Sequence, residues 1–350
     1  MCSGSSQYQS MPERQLGKNG PKISAIGFGL MGLVSAPGVS TSDDERFKLL
    51  DRAIELGCTY FDTADIYGDN EDLLGRYFKK YPHQRKKIFL ATKFGNVVSS
   101  DFSSLSVRGD AQYVREAFEK SLTRLGLDSI DLYYVHRIDK KVPIEETIGV
   151  LKDFVQQGKI KYIGLSECSS DTLRRAYTIH PISCVQVEYS PFSLDIEKQE
   201  IGLLKTCREL GVAIVCYSPL GQGILTGGIK SPDDFQPNDY RRFYPRFSKE
   251  NFPKSLELVN KLVLIAKKKN CTPGQLTLAW ILAQGNDFIP IPGTRRIKYL
   301  EENIAATQIN LSKEEQQEIR TACETADIVG ERFPEHLCVN LYADSAPKKN

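Results

Sequence analysis

Eight short apolar runs alternate with stretches of helical period along most of the chain. They are rich in Ile, Val, Tyr and Phe and occupy residues 23–29, 59–64, 88–93, 130–136, 160–166, 184–190, 212–218 and 288–293. Nearly unbroken apolar runs are typical of strands in a parallel sheet, because such a sheet is covered on both faces. The alternation therefore predicts an α/β fold built on one parallel sheet.

Helix signals lie between these runs and are clearest where both ends carry a cap. Ser42 and Glu45 form a capping box in a helix that Gly57 closes, while Asp110 and Gly126 bound the next clear case. Further helical stretches are predicted at 145–157, 170–179, 197–211, 255–269 and 274–284. No linker rich in Pro, Gly or Ser interrupts the pattern, which favours a single-domain (β/α)8 TIM barrel over a doubly wound sheet.

Two features decorate the predicted barrel. Asn19-Gly20 stands between short extended runs and predicts an N-terminal β-hairpin that floors the barrel. A long polar loop over about 220–253 follows the seventh strand, and loops of this length in compact domains are usually functional. We expect a flexible N-terminal tail over 1–12, the barrel over 13–325, and a C-terminal tail with a substrate loop over 326–350.

Composition excludes several classes of function. A formal net charge of +2 over 350 residues gives no electrostatic case for a nucleic-acid or membrane partner. No apolar run approaches the length of about 18 residues that a membrane-spanning helix needs, and the polar N-terminal residues lack the order of a secretory signal. The nine cysteines have neither zinc-site nor disulfide spacing, so we expect no metal and a reducing, cytoplasmic location.

The segment "GFGLMG" over 27–32 matches the G-x-G-x-x-G pattern of dinucleotide-binding proteins. A Rossmann site needs a helix that begins inside this motif, so that the pyrophosphate lies at the helix N-terminus. Here Pro37-Gly38 block a helix until Ser42, and no acidic residue ends a second strand at the expected spacing. We therefore interpret the motif as a glycine-rich turn from a strand into a loop.

Polar side chains stand at the ends of three consecutive strand candidates. Asp62 lies near the end of the second, Tyr67 in the loop that follows, Lys93 at the end of the third and His136 at the end of the fourth. Each alone has an ordinary explanation as a turn residue, a packed ring, a lysine that reaches water or a hydrogen-bonded histidine. Because catalytic groups of such barrels come from these strand ends, their conjunction indicates a proton-handling site. Asp65 is expected to shape the loop that presents Tyr67.

These side chains support one kind of chemistry. A tyrosine hydroxyl is a weak acid at neutral pH, but the Lys93 ammonium would stabilise its phenolate and Asp62 would hold the lysine charged. Tyr67 would then serve as a general acid, while His136 would orient a carbonyl oxygen and donate a hydrogen bond to it. No covalent nucleophile or metal-ligand set is evident, so hydride from a bound nicotinamide is the economical counterpart.

Blocks spread along the chain resemble the aldo-keto reductase family over about residues 12–325, in the branch of pyridoxal reductase-like members from fungi, plants and bacteria. The matching blocks, in order, are "YFDTADIYGDNEDLLGRYF", "ATKFG", "LYYVHRID", "IKYIGLSE", "VQVEYSPF", "CYSPLGQGILTG" and "IPIPGTRRIKYLEENIAA". The resemblance implies a barrel that binds NADPH without a Rossmann fold and reversibly reduces a small-molecule aldehyde or ketone. It implies a tetrad in which Tyr67 is the proton donor, completed by Asp62, Lys93 and His136.

The resemblance also implies a set of cofactor contacts. Ser166 and Gln186 would hold the nicotinamide carboxamide, and Tyr217 would stack on its ring. The nicotinamide side would be lined by Leu30, Met31 and Asp62; the pyrophosphate would be covered by Ser218, Pro219, Leu220, Gly221 and Gly223; the 2′-phosphate would be surrounded by Gly293, Thr294 and Arg295, with Lys298 as a helper; and the adenine would lie at Glu302 and Asn303.

The chain departs from the family pattern at three places. Glu167 stands where many members have Asn beside the carboxamide, while Gly293 and Tyr299 replace a lysine and an arginine of members with the PKS form. Preference for NADPH then rests on Arg295, with Arg296 or Lys298 beside it, because a guanidinium binds phosphate bidentately.

Two alternatives to the reductase remain open. A nicotinamide-binding regulatory subunit resembling potassium-channel beta subunits would share the fold and cofactor, although the tetrad histidine is kept here and no channel-docking extension is apparent. A flavin- or metal-dependent barrel enzyme has no supporting ligand set.

The substrate depends on the 220–253 loop, with Tyr240, Arg241, Phe243 and Tyr244, and on the tail around Phe333–Tyr342. The aromatic residues of these two segments would line a pocket for a flat or apolar substrate or pack on the surface. A monomer or weak homo-oligomer is expected.

Overall fold

Eight parallel strands form one curled sheet in the computed structural model, which describes residues 10–34, 42–98 and 105–348. The described residues contain twelve strands, eight in this sheet and four in two antiparallel hairpins: β1 (Glu13–Gln15), β2 (Lys22–Ser24), β3 (Phe28–Gly29), β4 (Tyr60–Asp62), β5 (Phe89–Phe94), β6 (Asn96–Val98), β7 (Leu105–Val107), β8 (Ile130–Val135), β9 (Ile160–Ser166), β10 (Cys184–Glu188), β11 (Ala213–Tyr217) and β12 (Phe288–Pro290). The helices are α1 (Asp43–Glu55), α2 (Asn70–Lys80), α3 (Pro82–Arg85), α4 (Ala111–Leu125), α5 (Ile144–Gln156), α6 (Ser170–Ile179), α7 (Leu203–Leu210), α8 (Phe252–Lys268), α9 (Pro273–Ala283), α10 (Ile297–Ala305), α11 (Lys313–Glu324) and α12 (Glu335–Cys338).

The sheet runs β3-β4-β5-β8-β9-β10-β11-β12, with every neighbouring pair parallel. Its two edges meet, because the Gly27 amide donates to Pro290 O at 3.0 Å and the Gly29 amide donates to Pro292 O at 3.2 Å. These bonds close the sheet into a barrel, with helices in the connections between successive strands. The (β/α)8 architecture predicted from the alternating pattern is confirmed.

The hairpin around Asn19-Gly20 is present, and it divides the first strand candidate. Residues 22–24 pair with β1 in an antiparallel hairpin, and only Phe28–Gly29 enters the barrel. Arg14 of β1 donates to the carbonyl oxygens of Leu282 at 2.6 Å and Gly285 at 2.6 Å, close to the start of β12. The hairpin therefore closes the end of the barrel at which the strands begin.

Apolar residues fill two compartments of the fold. One lies inside the barrel and is formed by Leu16, Ile23, Tyr60, Ala91, Leu132, Tyr134, Cys184, Ala213, Val215, Ile289 and Ile291. The larger one lies between the sheet and the surrounding helices, where Phe118, Phe154, Tyr189 and Trp280 are among its members. Leu16 and Ile23 come from the hairpin, so its apolar side chains seal the inner compartment from below.

Local signals account for the helix ends. Ser42 and Glu45 form both bonds of a capping box at α1, and Gly126 ends α4 in the left-handed conformation that glycine favours. The stretch 197–211 is helical over a shorter range than predicted: α7 begins only at Leu203, because Gly202 adopts φ +59° and interrupts the helical backbone.

The glycine motif over 27–32 forms no Rossmann turn. β3 ends at Gly29, a short 3-10 helix follows over Leu30–Leu33, and α1 begins at Asp43. Pro37-Gly38, which block a helix in the sequence pattern, lie outside the described residues. A Cβ atom on Gly29 would lie 2.6 Å from Ile291 O, so glycine is required there by the close approach of β3 to the end of β12.

Several elements have no individual counterpart in the sequence prediction. They are the antiparallel β6–β7 hairpin, the helices α10 and α11, and the short α12 in the C-terminal segment. Across the described ranges, no helix is long and apolar enough to cross a membrane, and no His, Cys, Asp and Glu side chains gather as a metal site would require.

Gly164 of β9 provides a test of the barrel interior. A Cβ atom there would lie 2.4 Å from the Tyr134 ring, which is buried and bonded through its hydroxyl to Tyr60 and Cys184. Gly164→Ala should therefore lower the free energy of unfolding by about 1 to 3 kcal/mol in urea titrations. Gly149 of α5 is the matched control: a Cβ atom meets nothing within 4 Å there, so Gly149→Ala should stabilise the fold by about 0.5 to 1 kcal/mol. Equal responses of the two variants would contradict this account.

Candidate active site

A lysine and an aspartate are buried together where β4 and β5 end. Lys93 is 0% exposed and Asp62 is 2% exposed. The Lys93 Nζ donates to Asp62 Oδ1 and, at 2.8 Å, to the carbonyl oxygen of Thr63. A buried ammonium is tolerated only when it is paired and hydrogen-bonded, so each partner requires the other.

The second oxygen of Asp62 extends this pair into a polar chain. Asp62 Oδ2 accepts from Gln186 Nε2 at 2.7 Å and from the Tyr60 hydroxyl at 3.1 Å. The Tyr60 hydroxyl bonds to that of Tyr134 at 3.0 Å, which in turn contacts Cys184 Sγ at 3.1 Å. Every oxygen of the carboxylate is therefore engaged, and the chain reaches from the strand ends down into the barrel.

Tyr67 lies above the buried pair. Its ring centroid is 5.1 Å from Lys93 Nζ, and its side chain is partly exposed, unlike those of Lys93 and Asp62. Burial by itself would lower the pKa of Lys93, but the Asp62 carboxylate and the Tyr67 hydroxyl outweigh it and raise that pKa above its ordinary value. Lys93 thus remains a cation, placed directly beneath a tyrosine that a ligand can reach.

His136 completes the group of side chains at the mouth. Its ring packs edge-on against Tyr67 at a centroid distance of 5.8 Å, and it is 7% exposed. Burial, followed by the positive charges of Arg137 and Lys93, lowers the pKa of His136 well below its usual range. The imidazole is therefore neutral near pH 7, and its buried Nδ1 has no hydrogen-bond partner among the described residues.

The structure thus brings together all four residues that the sequence singled out, and it adds an arginine that the sequence reasoning missed. Arg124 of α4 donates to Asp65 O at 2.9 Å and also to Gly68 O, the two carbonyls that flank Tyr67 along the chain. It also donates to Glu71 at 3.1 Å. Arg124 therefore fixes the loop that presents Tyr67.

The side chains expected at the nicotinamide carboxamide lie at the ends of the next strands. Ser166 is the last residue of β9, Gln186 lies within β10, and both are buried. Ser166 Oγ accepts a hydrogen bond from Arg137 Nη1 at 3.3 Å. Tyr217 ends β11, and its hydroxyl donates to Glu167 Oε1 at 2.7 Å. Leu30 is buried, whereas Met31 is 47% exposed. These positions line one side of the mouth that holds Tyr67.

The segment expected to cover the pyrophosphate has an unusual backbone. Ser218, Gly221, Gln222 and Gly223 all have positive φ angles, between 46° and 94°. Within this segment the Gly221 amide donates to Ser218 O at 2.9 Å and the Gly223 amide donates to Leu220 O at 3.0 Å, so these two amides already have backbone partners. Pro219 and Leu220 complete the segment, and Gln222, which lies within the range 218–223 expected at the pyrophosphate, has φ 55°.

The residues expected at the 2′-phosphate and adenine lie around the start of α10. This helix begins at Ile297 with no side-chain cap on its first amides, and the exposed Arg295, Arg296 and Lys298 stand beside it. A free helix N-terminus with nearby cations suits a phosphate. At Gly293 the absence of a side chain leaves room for Gly29 O. Thr294 accepts a hydrogen bond from the Arg296 amide at 3.1 Å, and Glu302 accepts one from the Thr272 hydroxyl at 2.7 Å. Asn303 is buried.

A closed (β/α)8 barrel with these side chains at the ends of its strands defines a class of single-domain oxidoreductases. The model of the aldo/keto reductase family matches residues 25–324, and the chain belongs to that family.

Relatives from fungi and plants match nearly the whole chain. It is 52% identical over 340 residues to the aldo-keto reductase yakc [NADP(+)] of Schizosaccharomyces pombe, with 97% of this chain and 99% of the relative covered. It is 54% identical to the aldo-keto reductase str7 of Strobilurus tenacellus, with 92% and 95% covered, and 44% identical to the probable aldo-keto reductase 1 of Glycine max, with 98% of each covered.

Solved structures give the same fold. The thermostable aldo-keto reductase Tm1743, solved with the inhibitor epalrestat, superposes with a TM-score of 0.68 at 31% identity and covers 89% of this chain and 100% of its own. The glycerol dehydrogenase AKR11B4 of Gluconobacter oxydans has a TM-score of 0.80 at 24% identity, with 93% and 98% covered, which shows the shared barrel alone.

Asp65, in the loop that presents Tyr67, should make the stability of the fold depend on pH. Burial, followed by the nearby Glu71, raises the pKa of Asp65 to about 7, so the native state holds a proton that an unfolded chain releases near pH 4. Between these values the free energy of unfolding should fall as the pH rises. Asp65→Asn removes this dependence, so its stability relative to the parent should increase by on the order of 2 to 4 kcal/mol from about pH 4 to about pH 8.

Urea titrations at several pH values would measure this difference. Asp171→Asn, at an exposed carboxylate in the first turn of α6, is the control and should show a constant offset over the range. A difference between Asp65→Asn and the parent that does not vary with pH would exclude Asp65 as the titrating group.

Proposed function

We propose that this protein is an NADP-dependent oxidoreductase that reduces an aldehyde or ketone to the alcohol and, in reverse, oxidises the alcohol with NADP+. The observation that carries this proposal is the charged, buried Lys93–Asp62 pair directly beneath the accessible Tyr67. An ammonium held at that point has no evident packing use, but it stabilises negative charge on the hydroxyl above it.

The cofactor in this proposal is NADPH, because the name of the Schizosaccharomyces pombe relative gives NADP(+) as the cofactor of that protein. When bound, NADPH supplies the hydride. The uncapped start of α10, with Arg295 and Lys298 beside it, supports a phosphate at that end of the site, and Ser166, Gln186 and Tyr217 would contact the nicotinamide. Residues 13–325 would then form the catalytic barrel.

Tyr67 would give a proton to the carbonyl oxygen as the alcohol forms. The O–H bond of Tyr67 breaks, a new O–H bond forms on the substrate, and the Lys93 ammonium stabilises the phenolate that remains. Asp62 keeps Lys93 charged and, together with the carbonyl oxygen of Thr63, orients its ammonium group. Arg124 holds the loop carbonyls on both sides of Tyr67, which fixes the direction of the hydroxyl.

His136 would hold the substrate oxygen in place. Because its imidazole is neutral near pH 7, it can donate one hydrogen bond without competing with Tyr67 as the acid. The donated bond strengthens as negative charge develops on the oxygen, so it stabilises the transition state more than the ground state.

The substrate would enter between the 220–253 loop and the C-terminal tail. The Tyr240 and Tyr244 rings lie 5.6 Å apart, and Tyr244 meets Phe333 of the tail edge-on at 5.3 Å. This aromatic wall favours a flat or apolar carbonyl compound, and it gives residues 326–350 the role of a substrate loop.

Tyr67→Phe tests the proton donor. The variant keeps the ring but cannot donate, so kcat for reduction of an aromatic aldehyde, followed at the nicotinamide absorbance band, should fall by about 100-fold or more. NADPH affinity and the unfolding midpoint should stay close to those of the parent. Tyr177→Phe on α6 is the control and should keep full activity; undiminished turnover by Tyr67→Phe would remove Tyr67 from the reaction.

Arg295→Ala tests the 2′-phosphate site. Loss of a charge-assisted contact to phosphate should raise the Kd for NADPH by about tenfold and leave the Kd for NADH nearly unchanged. The two affinities can be measured by cofactor fluorescence titration. Arg115→Ala, at an exposed ion pair on α4, is the control. An equal loss for NADPH and NADH would place the phosphate elsewhere.

A further inference from the structure

Four buried charged side chains lie together, one of them bonded to the Tyr217 hydroxyl, and the proposed reaction uses none of them. Glu167 follows β9, Glu188 ends β10, Arg246 comes from the loop after β11, and Arg332 comes from the C-terminal segment. Arg332 Nη1 lies 3.4 Å from Glu167 and 3.6 Å from Glu188, and Arg246 lies 3.9 Å from Glu188. We name these residues the four-charge cluster; its two acids and two bases balance.

Glu167 connects this cluster to Tyr217. It is 0% exposed, and its Oε1 both accepts from the Tyr217 hydroxyl at 2.7 Å and faces Arg332. Its backbone is fixed at φ +49°, with its amide bonded to Gln186 O at 3.1 Å and its carbonyl accepting from Ala343 at 2.9 Å. The carboxylate therefore has little freedom to move away from the tyrosine.

Arg332 connects the cluster to the C-terminal segment. Its guanidinium lies over the Tyr342 ring at 5.1 Å from the centroid, and the segment continues into a parallel bridge between Cys168 and Ala343. Burial would lower the pKa of Arg332, but the negative charge of Glu167 outweighs it and the pKa is raised. The arginine is a permanent cation enclosed between the barrel mouth and the tail.

Removal of one charge from this cluster would leave its partner buried without compensation. Without Arg332, the Glu167 carboxylate would keep the bond from Tyr217 and a 3.3 Å bond from the Glu188 amide, but no opposite charge. A buried, unpaired carboxylate moves toward water or takes up a proton. Either response changes what the Tyr217 hydroxyl is bonded to, and with it the orientation of the ring.

We propose that Glu167 and Arg332 are positioning residues for the nicotinamide end of the cofactor, and that they make the C-terminal segment part of the cofactor site. They act through the Tyr217 hydroxyl: the hydrogen bond that this hydroxyl makes fixes the orientation of the Tyr217 ring, and so the face that the ring presents to the nicotinamide. This proposal rests on the proposed function, in which NADPH binds with its nicotinamide against Tyr217. It gives a role to Glu167, one of the three residues at which the chain departs from the family pattern.

The same fold contains a control triad of the same residue types, with a more exposed ion pair. The Tyr189 hydroxyl donates to Glu197 at 2.6 Å, Arg320 pairs with Glu197 at 2.8 Å, and Arg320 lies over the Trp280 ring at 5.1 Å. The chemistry repeats that of Tyr217, Glu167 and Arg332, residue type for residue type. Tyr189, however, belongs to the outer core between sheet and helices, whereas Tyr217 packs on the barrel interior.

A double-mutant cycle on folded protein tests the proposal. The Kd for NADPH is measured by fluorescence titration for Arg332→Met, Tyr217→Phe and the double variant. Arg332→Met should raise Kd by about tenfold and shift the emission of bound NADPH, with kcat at saturating cofactor within about threefold of the parent. Because Arg332 acts through the Tyr217 hydroxyl, the double variant should bind NADPH about as weakly as Tyr217→Phe alone. Arg332→Lys should restore part of the affinity.

The control triad separates positioning from general stabilisation. Arg320→Met and Tyr189→Phe should lower the unfolding midpoint and leave the Kd for NADPH within about twofold of the parent. A Kd that rises equally in Arg320→Met, or effects of Arg332→Met and Tyr217→Phe that simply multiply, would overturn the proposal.

Two further results are distinguishable. If the parent protein binds neither NADPH nor NADH, the proposed function fails and this inference fails with it. If the parent binds NADPH and Arg332→Met binds it equally well, only the inference fails. Should Arg332→Met not fold, Glu167→Gln, which keeps an acceptor for Tyr217 but removes the charge, completes the same cycle with Tyr217→Phe.

Discussion

The ion pair between Lys93 and Asp62 is the interaction on which the active-site end of this barrel depends. An ammonium at 0% exposure is stable only beside a carboxylate, and that carboxylate is itself satisfied by Gln186 and Tyr60. Strands β4, β5 and β10 must therefore end at matching heights for these side chains to meet. The geometry of the pair thus ties the register of the sheet to the chemistry at its mouth.

The side chains at the mouth differ in charge and in exposure. The charged pair is sealed below, His136 is kept neutral by burial and by its cationic neighbours, and Tyr67 alone among the tetrad is partly open to the outside. A ligand at this mouth thus meets one hydroxyl backed by positive charge and one neutral imidazole. Opposite charges are also balanced in the four-charge cluster. Its two acidic and two basic side chains hold the C-terminal segment against the barrel, whereas the Lys93–Asp62 pair lies beneath Tyr67.

Local patterns were sufficient to predict the barrel and the meeting of four polar side chains at one end of it, because both follow from short-range signals and one topological rule. Apolar runs and caps such as Ser42 with Glu45 define the elements, and parallel strands of a closed barrel bring Asp62, Lys93 and His136 to one end. The supports could not be predicted in this way. Arg124 reaches a carbonyl 59 residues away, and Arg332 meets Glu167 across 165 residues, so no periodicity records either contact. Gly202, which shortens α7, and the division of 23–29 between hairpin and barrel are local events that the apolar pattern alone does not encode.

The seam between β3 and β12 has a consequence for how this barrel holds together. Pro290 and Pro292 have no amide hydrogen, so the last strand can only accept at these positions, and Gly27 and Gly29 supply the two donors that close the sheet. The same seam lies between Leu30 and Met31 on one side and Gly293 to Arg295 on the other, and Arg295 already reaches across it to Gly32 O. A dinucleotide bound there would contact both edges of the sheet at the seam between β3 and β12. Its binding energy would therefore also stabilise the closed form of the barrel.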